Sequence, residues 1–156
     1  MTWEYIAGFF DGEGSITHNK KGYRITISQT DLKVLQKIRN YVDYGFVFKN
    51  KKRKSHWKDS WIYYIAKQES VLEFLIKIKP LAVVKKEQII FIIPILKKAV
   101  KNINKKKRIR LANIVKAKKL REQGLTYRQI GKKLNIDFGH ARRLALGIYG
   151  DSSSIG

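Results

Sequence analysis

The sequence predicts an α+β domain of element order α-β-β-α-β-β-α, with four strands in an antiparallel sheet, followed by a small all-α domain. Three observations carry this prediction. Residues alternating between apolar and polar occur in two hairpin-like pairs, at 15–28 and 45–65. Stretches of helical period flank each pair. Beyond residue 100 a basic run leads into short segments carrying helix-start and helix-stop residues.

The first helix opens at Thr2 and ends in Ile6-Ala7-Gly8-Phe9-Phe10-Asp11-Gly12-Glu13-Gly14-Ser15. Gly8 and Gly12 lie four apart, on one helical face. Glycine inside a helix costs about 1 kcal/mol relative to alanine, so two on one face imply the close approach of another backbone. Gly12 and Gly14 bracket Glu13 and leave its carboxylate at the helix end with little steric cover. Two such helices side by side would bring two Glu13 carboxylates together, a pair suited to a metal ion.

Ser15–Lys20 and Tyr23–Ser28 read as strands joined at Lys21-Gly22. Ile16, Ile25 and Ile27 form one face, while Thr17, Asn19, Arg24, Thr26 and Ser28 form a hydrogen-bonding face. Asp31 is the expected N-cap of a helix to Val42, with Leu32, Leu35, Ile38, Tyr41 and Val42 on its apolar stripe. Residues 45–48 and 61–65 read as a second hairpin. Its loop from Lys49 to Lys58 holds six basic residues, including Lys51, Arg53 and Lys54. The next helix is expected from Ser70, with Glu73 completing a capping box, to Ile78 before Pro80.

The chain carries 34 Lys+Arg against 12 Asp+Glu, a net charge of +22, and a polyanion is the natural partner of such a surface. Hydrophobic content of 44% supports a real core. Without cysteine, disulfides and thiolate zinc sites are excluded, and His18, His56 and His140 are too scattered for a histidine cluster. The longest apolar run, Ile89 to Leu96, is interrupted by Pro94 and falls short of the roughly 20 residues a bilayer demands. We expect an intracellular, soluble protein with no membrane and no small-molecule substrate.

The stretch Ile6–Gly14 resembles the LAGLIDADG signature of homing endonucleases position by position, and the element order of residues 1–100 resembles that family's core. The resemblance implies a sheet that docks as a saddle on double-stranded DNA and a metal-dependent hydrolysis of phosphodiesters. It assigns metal binding to Glu13 and the Gly12 carbonyl, and catalysis to Glu13 with Lys85, near the scissile phosphate, and Gln29, which positions water. The signature occurs once, which implies a homodimer meeting through Ala7, Gly8 and Asp11. Mg2+ is the implied cofactor, with Mn2+ able to substitute, because Mg2+ takes few carboxylates and keeps water and phosphate in its shell. The product would be a staggered double-strand break in a long, pseudo-palindromic target. A non-cleaving DNA- or RNA-binding protein of the same fold, a maturase or a regulator, is the alternative.

The DNA-binding set is then expected to be Thr17, Asn19, Lys21, Arg24, Thr26 and Ser28 on the first hairpin, with Lys49, Lys51, Arg53 and Lys54 on the second. Residues 101–110 read as a basic linker. Residues 111–150 read as a helix-turn-helix domain, in which Thr126 caps one helix and His140, Arg142 and Arg143 lie on the recognition helix. Residues 151–156 read as a frayed tail. The wealth of Lys, Ile and Asn suggests an AT-rich gene, as in a phage, a bacterial intron or an organelle.

Overall fold

The computed structural model describes residues 1–52, 56 and 58–148. Arg53 and Lys54, together with the expected frayed tail, lie outside the described residues. Two compact units divide the chain, Met1–Lys101 and Asn102–Gly156.

The first unit follows the expected order. Helix α1 (Trp3–Glu13) leads into β1 (Gly14–Asn19) and β2 (Gly22–Gln29), then α2 (Leu32–Val42), β3 (Phe46–Lys49), β4 (Trp61–Ile65) and α3 (Gln68–Ile78). The four strands form one antiparallel sheet in the order β1-β2-β4-β3. Its register sets two faces. Ile16 pairs with Ile25, Ile25 with Ile65, and Ile27 with Tyr63, all toward the helices. That face packs with Ile6, Ala7 and Phe10 of α1, Leu35 and Ile38 of α2, and Val71, Phe74 and Leu75 of α3 into one core. Among the described residues no polar or charged side chain is buried there. The Tyr63 hydroxyl is satisfied by the Tyr44 carbonyl at 2.7 Å.

Local sequence explains the helix boundaries. Thr2 caps α1 by accepting from the Tyr5 N–H at 3.3 Å, and Asp31 caps α2 by accepting from the Lys33 N–H at 2.8 Å. The expected Ser70 capping box does not form. Helix α3 begins two residues earlier, at Gln68, and its N-cap Lys67 makes no side-chain cap bond. Gln68 accounts for the earlier start. Its amide accepts from the Tyr23 N–H at 3.0 Å and donates to the Tyr23 and Ala66 carbonyls at 2.8 Å, pinning the helix start to β2. The first turn also sits one residue earlier than expected. Asn19 pairs with Gly22, so Lys20-Lys21 form the tip and Gly22 takes φ +113, a conformation suited to glycine.

Residues 101–110 are a second correction. Expected as a basic linker, they are helical and belong to α4 (Lys86–Glu122), a continuous helix of 37 residues. The segment contains no Gly or Pro, and lysine and arginine are good helix formers, so its charge disguises its propensity. Pro94, read as an interruption, lies inside the same helix. In the second unit, Gly124 at φ +85 follows the end of α4. Helix α5 (Tyr127–Leu134) starts at the Thr126–Gln129 capping box. Asn135-Ile136-Asp137 connects it to α6 (Phe138–Leu146). Ala117, Ile130, Ala141 and Leu144 form this unit's small core.

Candidate active site and nucleic-acid interface

Helix α1 has two unlike sides. Ile6, Ala7 and Phe10 point inward and are fully buried. Tyr5, Gly8, Gly12 and Glu13 are exposed, and a Cβ added to Gly8 or Gly12 would meet nothing within 4 Å. Neither glycine is needed by the packing of its own unit. Ala7, expected at a dimer interface, belongs to the inward stripe, because positions 6, 7 and 10 share the core-facing side. The open face is instead the Tyr5-Gly8-Gly12 side.

Two carboxylates at the end of this helix have opposite fates. Asp11 accepts from three consecutive backbone N–H groups, those of Val83 at 2.6 Å, Val84 at 3.1 Å and Lys85 at 3.1 Å. It thereby caps the approach to α4, where N–H groups lack intrahelical partners. Partial burial pushes the Asp11 carboxyl up, but the three N–H bonds and the nearby Lys85 charge outweigh it and hold the carboxyl below its ordinary range. Asp11 was expected to cap or to stabilise the helix interface, and its carboxylate acts as a cap within its own unit.

Glu13 makes no hydrogen bond or ion pair with any described residue and is exposed at the helix end. Lys85 reaches the same helix end, its Nζ donating to the Asp11 carbonyl at 2.5 Å and lying 5.6 Å from the centre of the Phe10 ring. Gln29 also sits near this edge of the sheet. Gly14 pairs with Ile27, so the β2 end carrying Gln29 adjoins the α1–β1 junction. Its Oε1 accepts from the Thr30 N–H at 2.7 Å.

Glu13 and the Gly12 carbonyl, one of the last four carbonyls of its helix, offer a divalent metal the oxygen ligands that Mg2+ prefers. Among the described residues no group of three or more His, Asp or Glu comes together. A single carboxylate such as Glu13 fits a hard cation whose shell is completed by water, phosphate or a second chain.

The outer sheet face carries the other expected residues. Thr17, Asn19, Lys21 and Ser28 are exposed, and Arg24 and Thr26 are half-buried. The Asn19 Oδ1 accepts from the Lys21 N–H at 2.9 Å, and the Arg24 guanidinium lies 6.0 Å from the Tyr64 ring. Lys51 is exposed. Lys49 pairs with Asp59 at 2.8 Å, as Lys52 does at 2.9 Å. These two ammonium groups hold the Asp59 carboxyl below its usual range. In the second unit Arg142 and Arg143 are exposed on α6, whereas His140 is half-buried in a groove with Lys106, Ile109, Arg110, Asn113 and Leu144. Phe138, at the start of α6 and 60% exposed, was not singled out in the sequence. Neither were Phe46 and Phe48, which share the outer face of β3. The alternation Phe46-Val47-Phe48 was the available signal, since residues two apart on a strand face the same way.

The chain matches the LAGLIDADG-like domain over residues 2–79, half its length, including α1 and the whole sheet. It belongs to that family. Its fold is likewise that of solved homing endonucleases. The homing endonuclease I-TnaI shares 22% identity at a TM-score of 0.50, covering 96% of this chain and 99% of its own. The LAGLIDADG meganuclease I-AabMI, crystallised on uncleaved DNA, is 22% identical at a TM-score of 0.50 and covers 75% of this chain. This chain spans 44% of I-AabMI, less than half its length. I-CvuI, crystallised with the I-CreI target and Mg with the DNA not cleaved, is 22% identical at a TM-score of 0.48, with 62% of this chain and 66% of its own covered. No curated protein matches. No helix among the described residues is long and apolar enough to cross a membrane.

Proposed function

We propose that this LAGLIDADG protein is a homodimeric homing endonuclease that makes a staggered double-strand break in a long, pseudo-palindromic DNA target. The single observation that carries the reading is that one helix end, beside an open helix face, holds both the exposed Glu13 carboxylate, which no described residue engages, and the Lys85 ammonium, bonded there to the Asp11 carbonyl. A net charge of +22 supports DNA as the substrate, and I-AabMI of the same fold was crystallised on it.

Glu13 and the Gly12 carbonyl of each chain would hold Mg2+, or Mn2+ in its place. Such an ion activates water and stabilises charge on the phosphate when bound. Lys85, fixed through its own backbone N–H and its Nζ by Asp11, offsets the negative charge that develops on the phosphate oxygens. Gln29 orients water through the amide nitrogen that its bond to Thr30 leaves free. Tyr5, Gly8 and Gly12 meet the same face of a second chain, bringing two sites onto one duplex. The polar β1–β2 face reads bases, and the lysines give salt-dependent affinity. Helices α5 and α6 serve as a helix-turn-helix module extending the footprint, with Arg142 and Arg143 on the groove-facing helix.

The test is incubation of the full chain with Mg2+ and a randomised duplex library, followed by sequencing of the broken ends, with Glu13→Gln as control. A recurrent staggered break around a pseudo-symmetric site, absent in Glu13→Gln, is the expected result. Salt-sensitive selection of a motif without cutting would show a binding protein of this fold instead.

A further inference from the structure

The outer face of the sheet changes chemistry across its width. Following the register from β1 to β3, one row reads Ser15-Thr26-Tyr64-Phe46, and the next reads Ser28-Ile62-Phe48. Hydroxyls occupy the β1–β2 half, aromatic and aliphatic groups the β4–β3 half. Phe46 is 74% and Phe48 46% exposed. The Phe48 and Tyr64 rings meet edge to face, with centroids 6.1 Å apart, so the patch is a formed surface. Such apolar exposure on one strand calls for a partner that buries it.

Resting on the endonuclease reading above, we infer that Phe46, Phe48, Ile62 and Tyr64 read the C5-methyl groups of thymines in the major groove. The methyl is the apolar group that base edges present there, and side chains such as phenylalanine contact it. The patch is continuous with the hydrogen-bonding half of the same face and is bordered by Lys49, Lys51 and Lys52. Asp59, the one acid between Phe46 and Tyr64, is already neutralised by two of these lysines. A polyanion is drawn to this border. A second copy docked on this face would set the same lysine border against it, like charge against like. The β1–β2 half then recognises donors and acceptors, and the β4–β3 half selects thymine by burying its methyl.

The experiment measures binding of the full chain, without divalent metal, to the duplex selected from the randomised library. Deoxyuridine replaces thymidine one position at a time, which removes the methyl and keeps the base's hydrogen-bonding edge. We expect about a fourfold loss of affinity at each of a few clustered thymines per half-site. The Phe46→Ser/Phe48→Ser double variant loses that preference while keeping its salt-dependent affinity. No loss with deoxyuridine at any position, on a target that is still selected and cut, overturns this inference alone. So does a loss that persists unchanged in the double variant. Conversion of the double variant from dimer to monomer in sedimentation would show that a second copy covers the face, and also overturns it. Failure to select any sequence overturns the endonuclease reading together with this inference.

Discussion

The two sides of α1 are built to different rules. Its inner side is ordinary core, in which Phe10 meets Phe74 edge to face at 5.4 Å and Ile6 and Ala7 are fully buried. Its outer side is bare, with two glycines whose missing side chains would touch nothing and a terminal carboxylate without a partner. Core packing resides on one side of a helix of 11 residues, and the groups proposed for function on the other. Asp11, between them, uses its carboxylate to join the helix end to the segment that carries Lys85.

Substitutions along this helix separate the two sides. The largest effect is expected from Glu13→Gln, which should lower cleavage by about a thousandfold or more and leave the melting temperature unchanged, since Glu13 makes no hydrogen bond or ion pair with any described residue. A parallel fall in melting temperature would mean that the outer side also carries stability. Phe10→Ala should behave oppositely, with a loss of about 3–5 kcal/mol in denaturant unfolding.

Asp11→Asn should do a little of both. It loses charge-assisted bonds to three N–H groups, a capping change worth roughly 1–2 kcal/mol, and it loosens Lys85, so cleavage falls too. Its pH dependence has a definite sign. The folded carboxyl titrates below the ordinary 3.8, so the wild-type advantage over Asp11→Asn is complete above that value and disappears as pH falls through the lowered folded value. Equal urea midpoints for the two proteins at pH 6 would contradict this assignment.

The smallest effect is the most diagnostic. Gly8→Ala should raise the stability of the isolated chain by about 1 kcal/mol, because the new methyl group meets open space. The same change should weaken self-association in analytical ultracentrifugation, since it would separate the two helices that the proposed dimer brings together. A stabilised chain whose self-association is unaltered would remove the outer side from any interface.

The sequence shows clearly whatever is local. Thr2, Asp31 and Thr126 announce their helices because a cap acts within three residues. The alternation of Ile25 and Ile27 announces a strand half in the core. Misreadings arose where a distant partner decides. Helix α3 starts early because Gln68 is bonded to Tyr23, 45 residues away. The role of Asp11 depends on N–H groups more than 70 residues along the chain. The helical state of residues 101–110 was hidden for another reason, since dense positive charge suggests an extended tether even though lysine and arginine favour a helix. Within the candidate site, the exposure of Glu13 and the glycines was legible in their spacing, whereas the inward turn of Ala7 required the fold.

The bare outer side of α1 also bears on dosage. Under the proposed pairing, a lone chain holds one acidic ligand and half a cutting site, so the competent species forms in proportion to the square of the chain concentration when protein is scarce. A cell making a few copies would then carry a DNA-binding protein that leaves chromosomes intact, and a modest rise in expression would release a disproportionate burst of breakage. The two empty glycine positions would thus set a threshold on when the protein becomes dangerous to its host.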